Sequence, residues 1–429
     1  MPERFPNFRS SLARLVAIAA AVSLVGAVAC SESFAGGDAC PSLCPSKPNA
    51  FRDTTIDAIT MDTTVSGYPA LGLSSAMLLA NRPDTLVTRS VFRFDVLPTV
   101  YLPNKGSTSE SITTVDSVVM VIPLDSTGRL GSGTMTIEAF DVDTTANDSS
   151  NVVVRSLFRA DRLIGSTVVT PSALADTLRI PLSRDVMNAK IAAATRLRIG
   201  LRVKDGAGQL RIISFSSGVG AAYVRFDPNT DTTYSPLTVA PTTSMDLATT
   251  DVNLAYTVYS LVDKGSPEAD ANTLVVGGYP AYRTYFRFSV PKFITDSSTI
   301  VRAEVLLTQR PSKFASFSDT IAVLPIVPTS TSAVSDIRRI LDLSADGAFA
   351  ALDSTRLVPK DSGQRALNIL ALARTWKSLP VDVPRAVAFR IGLEGSQPAE
   401  FRFFSSKAAS TVRPRLRITF LPRTESAIP

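Results

Sequence analysis

The sequence contains no histidine among its 429 residues. No imidazole can serve as general base, metal ligand or switch near neutral pH, which excludes Ser-His-Asp and Cys-His catalysis and the usual zinc hydrolase sites. Cysteine is nearly as scarce, at three residues, all before position 45. One tryptophan and an aromatic content of 7% leave little material for a platform that stacks on neutral sugar. After residue 29 no apolar run approaches the roughly twenty residues a spanning helix needs. What is present is apolar content of 45% against 19% charge, enough to build cores and exclude global disorder. Proline (28), glycine (22) and abundant serine and threonine favour turns and short strands over long helices. The length is about three times a single-domain allowance of roughly 150 residues, so two folded units are expected beyond the leader and linkers.

Residues 1–29 read as an export signal peptide, with Arg4, Arg9 and Arg14 in front of the apolar run from Leu15 to Ala29. The stretch Leu24-Val25-Gly26-Ala27-Val28-Ala29-Cys30 resembles the lipobox of bacterial lipoproteins, although Ala27 stands where larger aliphatics are commoner. Ala27-Val28-Ala29 also satisfies ordinary secretory cleavage. Cysteine arithmetic weighs between the two. Cys40 and Cys44 can form a disulfide in an oxidising compartment, which leaves Cys30 as an odd thiol that acylation explains. The resemblance implies lipidation at Cys30, attachment to the membrane through that anchor, and an outer-membrane location, periplasmic or surface-exposed. Ser31, rather than aspartate, follows the cysteine. Without the leader 41 basic and 37 acidic side chains remain, a net +4. That is too modest to argue for nucleic acid.

An internal duplication sets the expected architecture. Val91-Phe92-Arg93-Phe94 returns as Tyr285-Phe286-Arg287-Phe288, shifted by 194 positions. Arg198-Ile199-Gly200-Leu201 returns identically at Arg390-Ile391-Gly392-Leu393, and Phe215-Ser216-Ser217 at Phe404-Ser405-Ser406. Three matches in one order at nearly constant shift argue for two diverged copies. The expected layout is a linker with the lipidated cysteine at 30–50, domains at 51–235 and 236–422, and a tail at 423–429. Within the copies the period is two: Phe92, Phe94 and Val96 oppose Arg93 and Asp95, and Leu416, Ile418 and Phe420 oppose Arg415, Arg417 and Thr419. Strict alternation marks strands with one buried and one wet face, so the fold class is all-β, two tandem antiparallel β-sandwiches. Segments 171–194, 333–352 and 367–379 could hold short helices. Trp376, in the last of these, reads as a core plug rather than a sugar platform, because Met187 stands at the equivalent place in the first copy.

The order Phe286-Arg287-Phe288, Val305-Leu306-Leu307, Leu367-Asn368-Ile369, Trp376, Phe404-Ser405-Ser406 and Arg413-Pro414-Arg415-Leu416-Arg417-Ile418 resembles the DNRLRE-type domain of bacterial surface and secreted proteins. The string that names the family is absent, and the first copy ends Tyr223-Val224-Arg225-Phe226 without a preceding proline. The resemblance implies a jelly roll related to carbohydrate-binding modules, over about 140 residues per copy. Its matching motifs are core strands, so no binding residue is carried over.

Little else suggests chemistry. Asp141, Asp143 and Asp148, and Asp227, Asn229 and Asp231, have the alternate oxygens calcium needs, but neither loop matches a twelve-residue calcium hand, and solvated turn aspartates are the plainer reading. No cofactor, metal site or catalytic residue is assigned, and an enzyme is not expected. The most specific surface feature is arginine at alternate strand positions. Arg196, Arg198, Arg202 and Arg211 fall in one copy, and Arg390, Arg402, Arg415 and Arg417 in the other. If their strands pair, these guanidinium groups could meet an acidic polysaccharide, since planar forks suit carboxylate or sulfate. They could equally cover an outer sheet and keep it soluble. The expected function is a non-catalytic envelope lipoprotein that binds acidic polysaccharide. The alternative is a structural or assembly component of the outer membrane or cell surface without a glycan ligand.

Overall fold

The computed structural model describes residues 51–69, 74, 76–103, 108–143, 151–213, 222–229, 236–241, 258–312, 320–328, 336–344 and 348–422. The leader, Cys30, Cys40, Cys44, Asp148, Asp231, the Phe215-Ser216-Ser217 motif and the tail lie outside the described residues. The protein is all-β, built from antiparallel sheets with a few short helices.

Alternation delivers one side of each strand to a core. Phe92, Phe94, Ile199, Leu201, Val224 and Phe226 fill the first core, and Phe286, Phe288, Phe389, Ile391, Leu416 and Ile418 fill the second. Each core lies between two β-layers. In the first sandwich a four-stranded sheet runs Thr177–Pro181, Val115–Pro123, Tyr223–Pro228, Leu237–Val239. Its seven-stranded partner runs Gly208–Ile213, Ala76–Arg82, Leu86–Phe94, Leu197–Asp205, Met135–Asp141, Leu163–Val169, with Val258–Lys264 also paired to Leu86–Phe94. The second sandwich repeats the layers, but as one eleven-stranded sheet that folds over its core. Gly363–Asn368, Ser298–Arg310, Arg415–Pro422 and Arg52–Ile56 form the part that corresponds to the smaller sheet, Ile59–Tyr68 pairs with Ala281–Phe288 in the larger part, and the end of Ser298–Arg310 pairs with Glu400–Phe404 to join the two. Phe92 and Phe286 occupy corresponding central strands.

The hydrogen bonding does not divide at 235/236, where the sequence repeat places the boundary. Leu237–Val239 and Val258–Lys264 stand at the head of the second sequence copy, yet they complete the first sandwich, on Tyr223–Pro228 and Leu86–Phe94. Arg52–Ile56 and Ile59–Tyr68 stand at the head of the first copy, yet they complete the second sandwich, on Arg415–Pro422 and Ala281–Phe288. The first sandwich is thus the continuous stretch 76–264, and the second is 52–68 together with 273–422. Alternation along a strand sets which of its faces is buried and leaves open which sheet receives it.

The exchange brings the sandwiches into contact at their crossovers. Tyr279, 4% exposed, accepts from the Leu78 amide and donates to Ser260 Oγ, while Ser396 Oγ accepts from the Ala76 amide. Gly395 sits at φ +72°, and a Cβ there would lie 2.4 Å from Pro69 Cδ, so only glycine admits this close approach.

The helical segments are shorter than their sequence windows. Arg184–Ala192 and Leu370–Thr375 are helices before the Arg-Ile-Gly-Leu strands, each preceded by a strand, and Ile337–Asp342 and Ala348–Leu352 are short helices. Trp376 is 1% exposed and packs 5.6 Å from the Phe288 ring; Met187 is buried in the first core. Trp376 is therefore a core residue with no face offered to sugar.

Candidate functional site: basic faces of the two sandwiches

The arginines expected to form one open basic face lie on different sheets, and carboxylates or carbonyls engage most of them. Arg196, Arg198 and Arg202 lie on the outer face of the seven-stranded sheet, part of which Val154, Leu157 and Phe158 cover. Arg198, expected to face water, is 2% exposed and stands opposite the equally buried Arg93. Burial lowers the pKa of Arg93, and the neighbouring Arg198 and Arg196 charges lower it further, against the opposing pull of Asp95. Arg196 Nε donates to Asp143 (2.6 Å), and Lys190 Nζ lies 3.1 Å from Asp141 and 3.2 Å from Asp143. Basic side chains thus occupy Asp141 and Asp143, two of the three aspartates considered for calcium in that loop, while Asp227 accepts from Ser117 Oγ. Arg202 pairs with Glu138 and lies over the Phe140 ring. Arg211 is held by Asp125 and Thr127.

In the second sandwich Arg390 donates to the Ile391 carbonyl, Arg402 to Glu400, Arg415 to the Ser410 carbonyl and Arg417 to Glu304. A guanidinium paired with a carboxylate, as in Arg402 and Arg417, has fewer N–H groups left for an external anion. Six of these residues were the sequence candidates for ligand contact: Arg196, Arg198, Arg202, Arg390, Arg415 and Arg417. The structure does not bring them together. Spacing along a strand fixes the face a side chain takes, not the acid that will stand across from it.

Two other arginines, aligned by the 194-residue shift, do equivalent work. Arg89 and Arg283 occupy matching positions in the central strands. Arg89 binds Asp263 on the incoming strand (2.6 Å), the Arg155 carbonyl of helix Asn151–Ser156, and the face of Phe158. Arg283 chelates Glu394, donates to the Leu341 carbonyl of helix Ile337–Asp342, and lies 4.2 Å from the Tyr68 ring centre on the incoming strand. A second arginine from each helix ties down the same place: Arg155 donates to the Val262 carbonyl and Arg338 to that of Ser66. The repeat shift could have revealed the Arg89/Arg283 pair, but only strand pairing explains what it clamps.

The outer face of the smaller sheet differs between the copies. In the first sandwich one row reads Arg179, Val121, Tyr223, and the next reads Pro181, Val119, Arg225, Thr238. Arg179 and Arg225 are exposed, and among the described residues neither has a hydrogen-bond or ion-pair partner. Two strand spacings and one two-residue step separate them, roughly 12 Å between Cα atoms, with Tyr223 half-buried beside them. The corresponding face of the second sandwich has Arg417 opposite Glu304, at 2.8 Å, where Arg225 faces Val119. Ala366 faces Leu306 where Arg179 faces Val121. Sequence reading missed Arg179 and Arg225 because register, and not spacing, identifies Val119 as the residue across the sheet.

Clefts also open on the surface among the described residues. Tyr68, Pro69, Met77, Val258, Tyr279 and Gly395 are among the residues lining one of about 440 Å³ at the crossovers. Burial raises the pKa of both tyrosines, with the Asp342 hydrogen bond and charge adding to the effect at Tyr68. A more polar cleft of about 500 Å³ includes Asp62, Thr64, Asp270 and Lys407. Among the described residues no three potential metal ligands cluster, and no helix is long and apolar enough to cross a membrane.

No protein-family model matches the chain, and comparison with curated proteins gives no match. Among solved structures, the C-terminal domain of the Streptococcus pyogenes antigen I/II-family protein AspA aligns at 8% identity, covering 82% of this chain and 92% of that chain, with a TM-score of 0.17. A likeness at that score carries no argument.

Proposed function

We propose that the protein is a non-catalytic, lipid-anchored component of the cell envelope that binds an acidic polysaccharide on the outer face of the first sandwich's smaller sheet. The observation that carries this reading is Arg225 opposite Val119, where the duplicate sets Arg417 against Glu304. With Arg179 it offers two uncompensated guanidinium forks on a flat sheet, suited to successive carboxylate or sulfate groups. Tyr223 adds a ring and a hydroxyl between them. The anchor at Cys30 and the outer-membrane location rest on the lipobox-like sequence.

Binding of the purified protein to a polyuronate such as alginate tests this by titration calorimetry. Arg179→Ser with Arg225→Ser should cost tenfold or more in affinity. Arg415→Ser with Arg417→Ser should leave it unchanged. Wild-type binding should weaken with salt, since exposed charges are screened over about 8 Å at physiological ionic strength. Binding indifferent to both the first pair and salt overturns the proposal. The alternative, a structural component without a glycan ligand, is favoured by one observation: exchanged strands and the Tyr279 junction tie the sandwiches together.

A further inference from the structure

The first sandwich is finished by the leading strands of the next sequence copy, Leu237–Val239 and Val258–Lys264. The second is finished by the leading strands of the first copy: Arg52–Ile56 pairs with Arg415–Pro422, and Ile59–Tyr68 with Ala281–Phe288.

From this topology we propose that the same joint can form between molecules, residues 52–68 of one copy completing the second sandwich of another. Among the described residues the hydrogen bonds that seat the segment come from the acceptor. The backbone ladder comes from Ala281–Phe288 and Arg415–Pro422, Ser406 donates to Asp62, Thr284 meets Thr64, and Arg338 holds the Ser66 carbonyl. The first sandwich does not compete, because Val258–Lys264 already fills its equivalent socket. An acceptor from a second copy therefore offers the same hydrogen bonds. Donor and acceptor surfaces differ, so the contact is heterologous, and repeated exchange gives head-to-tail chains or larger rings. Tethering copies to one membrane would favour this by raising their local concentration.

The test uses Asp53 and Thr419, an exposed cross-strand pair at matching register whose side chains hydrogen-bond at 2.8 Å. Cys30, Cys40 and Cys44 are first replaced by serine in the full chain. One preparation then carries Asp53→Cys, a second Thr419→Cys, and a third both substitutions. Oxidation of the double variant at low concentration should give a cross-linked monomer, which establishes that the joint forms. Co-refolding the two single variants at rising concentration should give a covalent heterodimer, mapped by peptide mass spectrometry to residues 53 and 419. Refolding the double variant at high concentration should give a ladder of dimers and trimers. A cross-linked monomer with no 53–419 heterodimer at any concentration overturns the proposal.

Discussion

The two sandwiches descend from one plan and differ in two respects that matter. One is continuous in sequence, while the other depends on seventeen residues from the far end of the chain. One carries an open basic sheet face, while the other has neutralised the same face from within. A duplicated domain is free to lose a feature in one copy while the other retains it. Comparing matched positions therefore separates structural from surface arginines better than counting arginines does.

Deleting residues 52–68 gives the largest expected effect. It removes two strands from the second sandwich and uncovers Ala281–Phe288 and Arg415–Pro422. Hydrogen exchange should lose its protection at 281–288 and retain it at 86–94. The opposite pattern would mean that the exchange is not the native pairing.

The two arginine clamps should differ in strength. Arg283→Ala leaves Glu394, whose side chain is 5% exposed, without its partner, at an expected cost of about 3–5 kcal/mol. Arg89→Ala leaves Asp263 more exposed and still bound to Arg155, so about 1 kcal/mol is expected. Urea denaturation of both variants measures the gap, and equal losses would remove the distinction.

Exchanging the two sheet faces sharpens the comparison. Val119→Glu should place a carboxylate against Arg225 and lower polyuronate affinity about tenfold, the worth of one charge-assisted hydrogen bond. Glu304→Val should release Arg417 and add weak binding to the second sandwich. Val119→Glu with undiminished affinity would show that the ligand sits elsewhere.

The smallest effect is confined to alkaline solution. Tyr68 and Tyr279 both have raised pKa values in the folded protein, whereas an unfolded tyrosine titrates near 10. Between those values the unfolded chain has released protons that the native state still holds, so stability should fall as pH rises above about 10 and stay flat below it. Tyr279→Phe should flatten that slope in a pH series of urea midpoints; an unchanged slope would assign it to other groups.

Much of the fold was legible in residues alone. Alternation at Phe92, Phe94, Leu416 and Ile418 gave strands and their buried faces, and the 194-residue echo gave two related units. Burial of Trp376 also followed from comparison with Met187. The candidate site was hardly legible. Arg198 alternates like a surface residue and is buried, because the seven-stranded sheet has an outer cover as well as a core.

What the sequence determined by itself is the class of structure: strands of period two, duplicated, with chemistry that must do without histidine. Those properties are local or compositional, and each can be read within a few residues. Which socket receives Ile59–Tyr68, and whether Arg225 meets Val119 or an acid, was decided only in the tertiary structure. Pairing joins positions from about one hundred to more than two hundred residues apart, and alternation along a strand does not name its partner. The choice then falls to particular contacts that exist only after folding: Arg283 on Tyr68, Arg89 on Asp263, and Tyr279 at the crossover.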